Sequence, residues 1–97
     1  MSAAQPFPSA AEYGVVPKYP IESVDSALRV LVLFGERPQL RLTDVSQYLG
    51  VASSTAHRLL AMLCYRGLVR QSAATRSYEP GPALDQLAYG LLRRLDI

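Results

Sequence analysis

The sequence predicts a mainly α-helical domain with one small β-hairpin and a further C-terminal helix. Three observations carry this prediction: apolar residues recur at helical spacing in four segments, glycines separate these segments, and two strand-like runs flank residues 72–75. The length of 97 residues suits one small domain with a single core. We expect a flexible proline-rich arm (1–20), a folded domain (21–81) and the start of a linker and dimerisation helix (82–97).

The first helix is predicted to follow the proline-rich arm. Ser23 is a suitable N-cap residue, and Val24, Leu28 and Leu31 recur at a helical spacing that extends to Phe34. Gly35 provides a stop, because glycine readily adopts the conformation that ends a helix.

A second and a third helix are predicted on either side of Gly50, which permits the positive φ of a sharp turn. Thr43 is a suitable N-cap for the second helix, and Ser53 is a suitable N-cap for a third helix over residues 54–65. The third helix has an apolar side with the spacing i, i+3, i+4 and i+7, formed by Ala56, Leu59, Leu60 and Leu63.

A hairpin and a fourth helix complete the predicted domain. Gly67 closes the third helix, and residues 68–71 and 76–79 are expected to pair as two strands. Pro82 is well placed in the first turn of a helix whose apolar side carries Leu84, Leu87, Ala88, Leu91 and Leu95. Helix, helix, turn, helix and hairpin in this order are typical of a winged helix-turn-helix, whose third helix docks in the major groove of DNA.

Positive charge is concentrated in the segment that would form this motif. The whole chain has a net charge of +2. Residues 37–78, by contrast, contain six arginines against the single acid Asp44, which leaves +5. A local basic excess of this kind attracts polyanions such as nucleic acids.

The face of the third helix opposite its apolar side is predicted to contact DNA. Arg58 is placed there for a bidentate contact with guanine or for a phosphate contact. Ser54 and Thr55 are expected to donate to phosphates near the positive end of the helix, whereas Ser53 is expected to act mostly as the cap. His57 lies on the flank, where packing and DNA contact are equally open interpretations.

The wing and the second helix provide further candidates. Arg76 lies near the tip of the hairpin and is a better candidate for a backbone contact than Arg70, which lies on the first strand. Arg41 and Thr43 are candidates for clamping a phosphate at the start of the second helix, although capping alone would also explain Thr43.

Several classes of protein are disfavoured by the sequence. One cysteine and one histidine are too few for a disulfide framework or a structural zinc site. We find no nucleophile elbow, phosphate-binding glycine loop or metal-ligand cluster, so we expect no catalytic residues, metal or cofactor, and no enzyme. Without a signal peptide or a membrane-spanning apolar run, a cytoplasmic location is expected.

From Ile21 to about Leu92 the chain resembles the N-terminal DNA-binding domain of the IclR family of bacterial transcription regulators. The resemblance rests on five blocks, of which Ser54–Leu60 within the third is the most specific: Ser23–Leu31, Leu42–Val45, Gly50–Leu60, Gly67–Val69 and Tyr78–Pro82. Two positions depart from the family's usual pattern, since Ala52-Ser53 stands where proline and lysine are common and Pro80 stands where leucine is usual.

The resemblance implies a sequence-specific DNA-binding module of a transcription regulator. The expected partners are double-stranded DNA with a pseudo-palindromic operator and a second copy of the chain, with residues 54–65 in the major groove and the wing, residues 68–79, on the backbone. A small-molecule effector is expected to act only through a C-terminal domain that this sequence does not contain. The alternative is a winged-helix module for protein–protein interaction, which has no need of the concentrated positive charge.

Overall fold

The computed structural model describes residues 7 and 11–95 and confirms the predicted fold class. Helices and strands follow one another in the order α1 (Glu22–Leu33), α2 (Leu42–Leu49), α3 (Ser53–Tyr65), β1 (Val69–Gln71), β2 (Tyr78–Pro80) and α4 (Pro82–Arg94). The two strands form one antiparallel hairpin, so the domain is a winged helix-turn-helix followed by a further helix.

The core lies around α3, which packs against α1, α2 and β1. Ala56 and Leu60 of α3 are fully buried and Leu63 is nearly so, which confirms the predicted apolar side of this helix. The other buried apolar residues lie in α1, α2, both strands and the segments next to them, together with Phe7, and none lies in α4: Phe7, Val30, Leu33, Phe34, Leu40, Val45, Val69 and Tyr78. Because α3 supplies the centre of the core, its opposite side is held at the surface.

Helix α1 begins earlier than predicted and turns a different side toward the core. The backbone N–H of Asp25 donates to the carbonyl of Ile21 at 3.0 Å, so Ile21 is the N-cap and Ser23 lies within the helix. Of the residues with the predicted helical spacing, Val24 and Leu28 are 49% and 55% exposed, whereas Leu31 packs against the core and Phe34 is buried. The packing of α1 against α3 instead buries residues nearer its C-terminal end.

The turn between α2 and α3 has the predicted glycine geometry, with Gly50 at φ 69°. Ala52, not Ser53, is the N-cap of α3, because the N–H of Ala56 donates to the carbonyl of Ala52 at 3.0 Å. The prediction of Ser53 as a cap was therefore wrong. Ser53 is the first helical residue, and α3 begins one residue before the predicted range of 54–65.

The hairpin is shifted from its predicted register. Its Cα pairs are Val69↔Pro80, Arg70↔Glu79 and Gln71↔Tyr78, so the second strand begins at Tyr78 and not at residue 76. Arg76 has φ 65°, and its backbone N–H donates to the backbone carbonyl of Ser72 at 2.8 Å, so Arg76 lies in the turn. Residues 72–77 therefore form a longer wing tip than the sequence predicted.

Helix α4 begins at Pro82, as predicted, with Gly81 as its N-cap. Leu87, Leu91 and Leu95 on its expected apolar side are each more than half exposed. In the part of the chain that the structure describes, no helix combines the length and hydropathy needed to span a bilayer.

The predicted arm is only partly described. Residues 11–20 are exposed and contain neither helix nor strand, whereas Phe7 is 7% exposed and packs on the domain. Positions 1–6 and 8–10 of the arm, and positions 96–97 of the linker, lie outside the described residues.

Candidate nucleic-acid interface

The first two turns of α3 present a polar surface. Ser53, Ser54, Thr55 and Arg58 are all exposed, as is His57, while the helix anchors itself in the core through its other side. No side chain caps the N-terminus of α3. The unpaired amides of this first turn, together with the helix dipole, favour an anion or a hydrogen-bond acceptor.

The one-residue shift in the start of α3 adds to this surface. If Ser53 were the cap, its hydroxyl would be occupied by an amide of the helix. Ser53 is instead the first helical residue and Ala52 is the N-cap, so the Ser53 hydroxyl does not cap the helix. Three successive hydroxyl residues therefore lie within the first turn of α3.

An open groove of about 750 Å³ lies between the start of α2, His57 of α3 and the wing. We call it the basic groove, because three arginines and only one carboxylate line it. Its lining residues are Arg37, Gln39, Arg41, Leu42, Thr43, Asp44, His57, Gln71, Thr75, Arg76, Ser77 and Tyr78. The basic groove brings together four of the eight predicted DNA-contacting residues, namely Arg41, Thr43, His57 and Arg76, whereas Ser53, Ser54, Thr55 and Arg58 lie outside it on α3.

A single β-bridge between Leu40 and Tyr78 connects the segment before α2 to the wing. The N–H of Leu40 donates to the carbonyl of Tyr78 at 2.9 Å, and the N–H of Tyr78 donates to the carbonyl of Leu40 at 2.7 Å. Both side chains are buried. Arg41 and Ser77, which neighbour this pair in the chain, both line the basic groove.

The start of α2 has a different cap from the predicted one. The carboxylate of Asp44 accepts a hydrogen bond from the backbone N–H of Arg41 at 2.8 Å, and Arg41 is the N-cap position. Thr43, predicted as the cap, is the second helical residue and is exposed. The Thr43 hydroxyl therefore does not cap α2 and can bind a ligand. The carboxylate of Asp44, the acid that lines the basic groove, is hydrogen-bonded at the start of α2.

The wing tip holds the backbone of Arg76 and leaves its side chain exposed. Ser72 donates its N–H to the carbonyl of Ser77 at 2.8 Å, and the side-chain amide of Gln71 donates to the carbonyl of Arg76 at 2.9 Å. Thr75 accepts a hydrogen bond from the N–H of Ser77 at 3.2 Å. This network holds Arg76 in its left-handed conformation at the edge of the basic groove.

Tyr78, which lines the basic groove, and the partly buried Cys64 have shifted pKa values. Burial raises the pKa of the Tyr78 hydroxyl, Cys64 raises it further, and the charge of Arg76 opposes both. Burial also raises the pKa of the Cys64 thiol, which disfavours the reactive thiolate. Within residues 7 and 11–95, no three His, Cys, Asp or Glu side chains gather closely enough to hold a metal ion.

One basic residue of the groove was missed by the prediction of individual contacts. Arg37 contributes to the charge excess of residues 37–78, but it precedes α2 and belongs to no predicted element. The structure places it in the lining of the basic groove with Arg41 and Arg76. Its position in the charged segment was the only signal in the sequence.

Comparison with known proteins identifies the motif independently of this geometry. Residues 23–73 match the family model of the IclR helix-turn-helix domain. Among curated relatives, the chain is 35% identical over 78 residues to the HTH-type transcriptional regulator XynR of Escherichia coli, covering 79% of this chain and 31% of that protein. It is 34% identical over 74 residues to the HTH-type transcriptional regulator BhcR of Paracoccus denitrificans, covering 76% of this chain and 26% of that protein.

Solved structures show the same likeness. An IclR family transcriptional regulator from Brucella abortus aligns with a TM-score of 0.67 and 25% identity, over 88% of this chain and 34% of that one. A transcriptional regulator from Alicyclobacillus acidocaldarius aligns with a TM-score of 0.67 and 34% identity, over 73% of this chain and 29% of that one. The chain thus spans about a third or less of the length of these relatives.

Proposed function

We infer that this chain, which belongs to the IclR family of helix-turn-helix transcription regulators, is a sequence-specific DNA-binding module. In this proposal the N-terminal half of α3 enters the major groove and the basic groove receives the adjacent phosphate backbone. The observation that carries the proposal is the exposed polar first turn of α3 beside a groove lined by three arginines.

The residues divide into two roles according to their positions. Arg58, exposed on α3, is assigned to base edges, where a bidentate contact with guanine discriminates by about 1–3 kcal/mol. Ser53, Ser54 and Thr55 are assigned to acceptors on the DNA near the helix start. His57 lines the basic groove and borders both surfaces, so it is assigned to their junction.

Arg41, Thr43 and Arg76 are assigned to phosphates. All three line the basic groove, and the wing carrying Arg76 is held against the start of α2 by the Leu40–Tyr78 pair. A phosphate contact positions a protein on the duplex without reading its sequence. We therefore expect these residues to control affinity for every duplex and α3 to control the preference among duplexes.

The proposal extends to assembly, location and regulation. Two copies would present two α3 helices to successive major grooves of a pseudo-palindrome, and the exposed apolar residues of α4 support pairing through that helix. Binding to bacterial DNA implies a cytoplasmic location. We assign any small-molecule response to a further C-terminal domain, since the curated relatives are about three times as long as this chain.

Selection from random duplex DNA, followed by fluorescence anisotropy titration, tests this function. We expect the selected duplex to bind more tightly than a scrambled duplex of the same length and composition. Affinity for both should fall steeply with salt, since each neutralised phosphate contributes a slope of about −0.9 in log K against log salt. Salt-insensitive binding with no preference between the two duplexes would contradict the proposal.

A further inference from the structure

Phe7 contacts the domain through a pair of aromatic rings, and an arginine lies over each ring. The Phe7 ring lies 5.6 Å from the Tyr48 ring, centroid to centroid, in an edge-on arrangement with an interplanar angle of 69°. The guanidinium carbon of Arg37 lies 4.7 Å from the centroid of the Phe7 ring. The guanidinium carbon of Arg29 lies 4.9 Å from the centroid of the Tyr48 ring.

These contacts form a stack in the order Arg37, Phe7, Tyr48 and Arg29, which we call the Phe7 stack. It joins Phe7 to Tyr48 of α2 and, through Tyr48, to Arg29 of α1. Arg29 is held further by a 3.5 Å hydrogen bond from its guanidinium to the carbonyl of Tyr48. Phe7 is 7% exposed, so it lies beneath the surface and is not itself available to a ligand.

Arg37 differs from Arg29 in facing the basic groove. It lines the groove together with Arg41 and Arg76, whereas Arg29 does not. Within the described part of the chain Arg37 forms no ion pair. A guanidinium that lies over a ring uses no hydrogen bond in that contact, so its N–H donors stay available to a phosphate.

Holding an arginine in place reduces the entropy lost when it binds. A free arginine side chain loses rotamer freedom when it binds a phosphate, and a ring that already restricts the side chain reduces this loss. The Phe7 ring is the contact that restricts the Arg37 guanidinium. Without Phe7, Arg37 would keep its charge but not this contact.

We propose that Arg37 is a further phosphate-contacting residue of the DNA interface and that Phe7 is its positioning residue. The N-terminal segment then raises affinity for DNA without touching DNA. This inference rests on the proposed function, because it assigns a fourth basic contact to the same interface. It adds a residue from outside the helix-turn-helix and wing to the residues that set affinity.

Anisotropy titrations over a range of salt concentrations test the first half. We expect Arg37→Ala to weaken binding to selected and scrambled duplexes alike by about two- to tenfold and to flatten the salt slope by about one. Arg29→Ala is the matched control, since it removes the same charge from the other end of the Phe7 stack. Its salt slope should stay within about 0.3 of the wild-type value.

A double-mutant cycle tests the positioning role of Phe7. Phe7→Leu removes the ring but retains an apolar side chain, and we expect it to weaken binding about two- to fourfold when Arg37 is present and not at all in the Arg37→Ala background. Phe7→Tyr keeps the ring and should retain wild-type affinity. A general loss of folding would weaken binding equally in both backgrounds, which would overturn the positioning role.

Failure of this inference is distinguishable from failure of the proposed function. An unchanged salt slope for Arg37→Ala, alongside a flattened slope for Arg76→Ala, would overturn the role of Arg37 and leave DNA binding intact. Absence of salt-dependent binding by the wild-type chain would overturn both.

Discussion

In the wing, Nη2 of Arg70 lies 2.7 Å from Oε1 of Glu79, its partner across the two strands. Arg76, six residues later, lies in the turn, exposed and outside any ion pair among residues 7 and 11–95. Two arginines of one hairpin therefore have different electrostatic surroundings. Of these two arginines, Arg76 alone lines the basic groove, and its charge is not paired with an acid there.

Replacing these two arginines separately tests that difference. We expect Arg76→Ala to weaken binding to selected and scrambled DNA equally and to flatten the salt slope by about one. Arg70→Ala removes the same formal charge, but from a residue that is paired with Glu79 and lies outside the lining of the basic groove, so its effect on the slope should be smaller. Salt-dependent anisotropy titrations compare the two, and equal slopes would refute the distinction between them.

The backbone of Arg76 predicts a second, separable effect. A residue other than glycine at φ 65° is held in a conformation that costs about 1–2 kcal/mol, so Arg76→Gly should raise the free energy of unfolding by up to about 1 kcal/mol. The same substitution should weaken DNA binding as much as Arg76→Ala does. Urea denaturation and anisotropy measure the two effects, and a Gly variant less stable than the Ala variant would contradict this account.

The contact between Gly81 and Gly67 predicts a stability difference between two glycines. A Cβ at Gly81 would overlap the carbonyl oxygen of Gly67, whereas a Cβ at Gly90, within α4, would meet nothing within 4 Å. Gly81→Ala should therefore lower the free energy of unfolding by about 1–3 kcal/mol. Gly90→Ala should raise it by about 0.5–1 kcal/mol through helix propensity, and equal effects in thermal melts would argue against this packing.

The buried hydroxyl of Tyr78 predicts loss of stability at high pH. Its folded pKa is raised by burial above the ordinary value of about 10, so its stabilising contribution is complete below pH 10 and is lost as the pH rises through the folded pKa. Tyr78→Phe lacks this ionisation. Urea denaturation between pH 8 and pH 11.5 should show that the free energy of unfolding falls more for the wild type than for the variant. The difference should be about 1.4 kcal/mol for each unit by which the folded pKa of Tyr78 exceeds the unfolded pKa. Parallel curves for the two proteins would disprove this role of Tyr78.

The fold was predictable because local signals agreed with one another. The apolar spacing of α3, the positive-φ glycine at Gly50 and the proline at the start of α4 each act through neighbouring residues, and each is confirmed. The buried side of α1 was not predictable in the same way. Val24 and Leu28 have helical spacing, but only packing against α3 decides which side of an apolar helix is covered.

Cap residues and long-range contacts account for the rest. Ser23, Thr43 and Ser53 are chemically suited to capping, yet each helix begins one or two residues earlier because a residue with extended backbone precedes it. The contact between Phe7 and Arg37 joins residues thirty positions apart, and no local pattern in the sequence indicates it. The DNA-contacting roles of the candidate residues remain predictions.

The substitution Arg58→Ala shows whether the N-terminal half of α3 reads bases. The matched control is Arg66→Ala, which removes an exposed arginine that follows the same helix and stacks on Tyr65. The measurement is the ratio of affinities for selected and scrambled duplexes at one salt concentration. We expect Arg58→Ala to reduce this ratio by about five- to a hundredfold and Arg66→Ala to leave it unchanged. An unchanged ratio for Arg58→Ala, or an equal loss in both variants, would contradict base reading by the N-terminal half of α3.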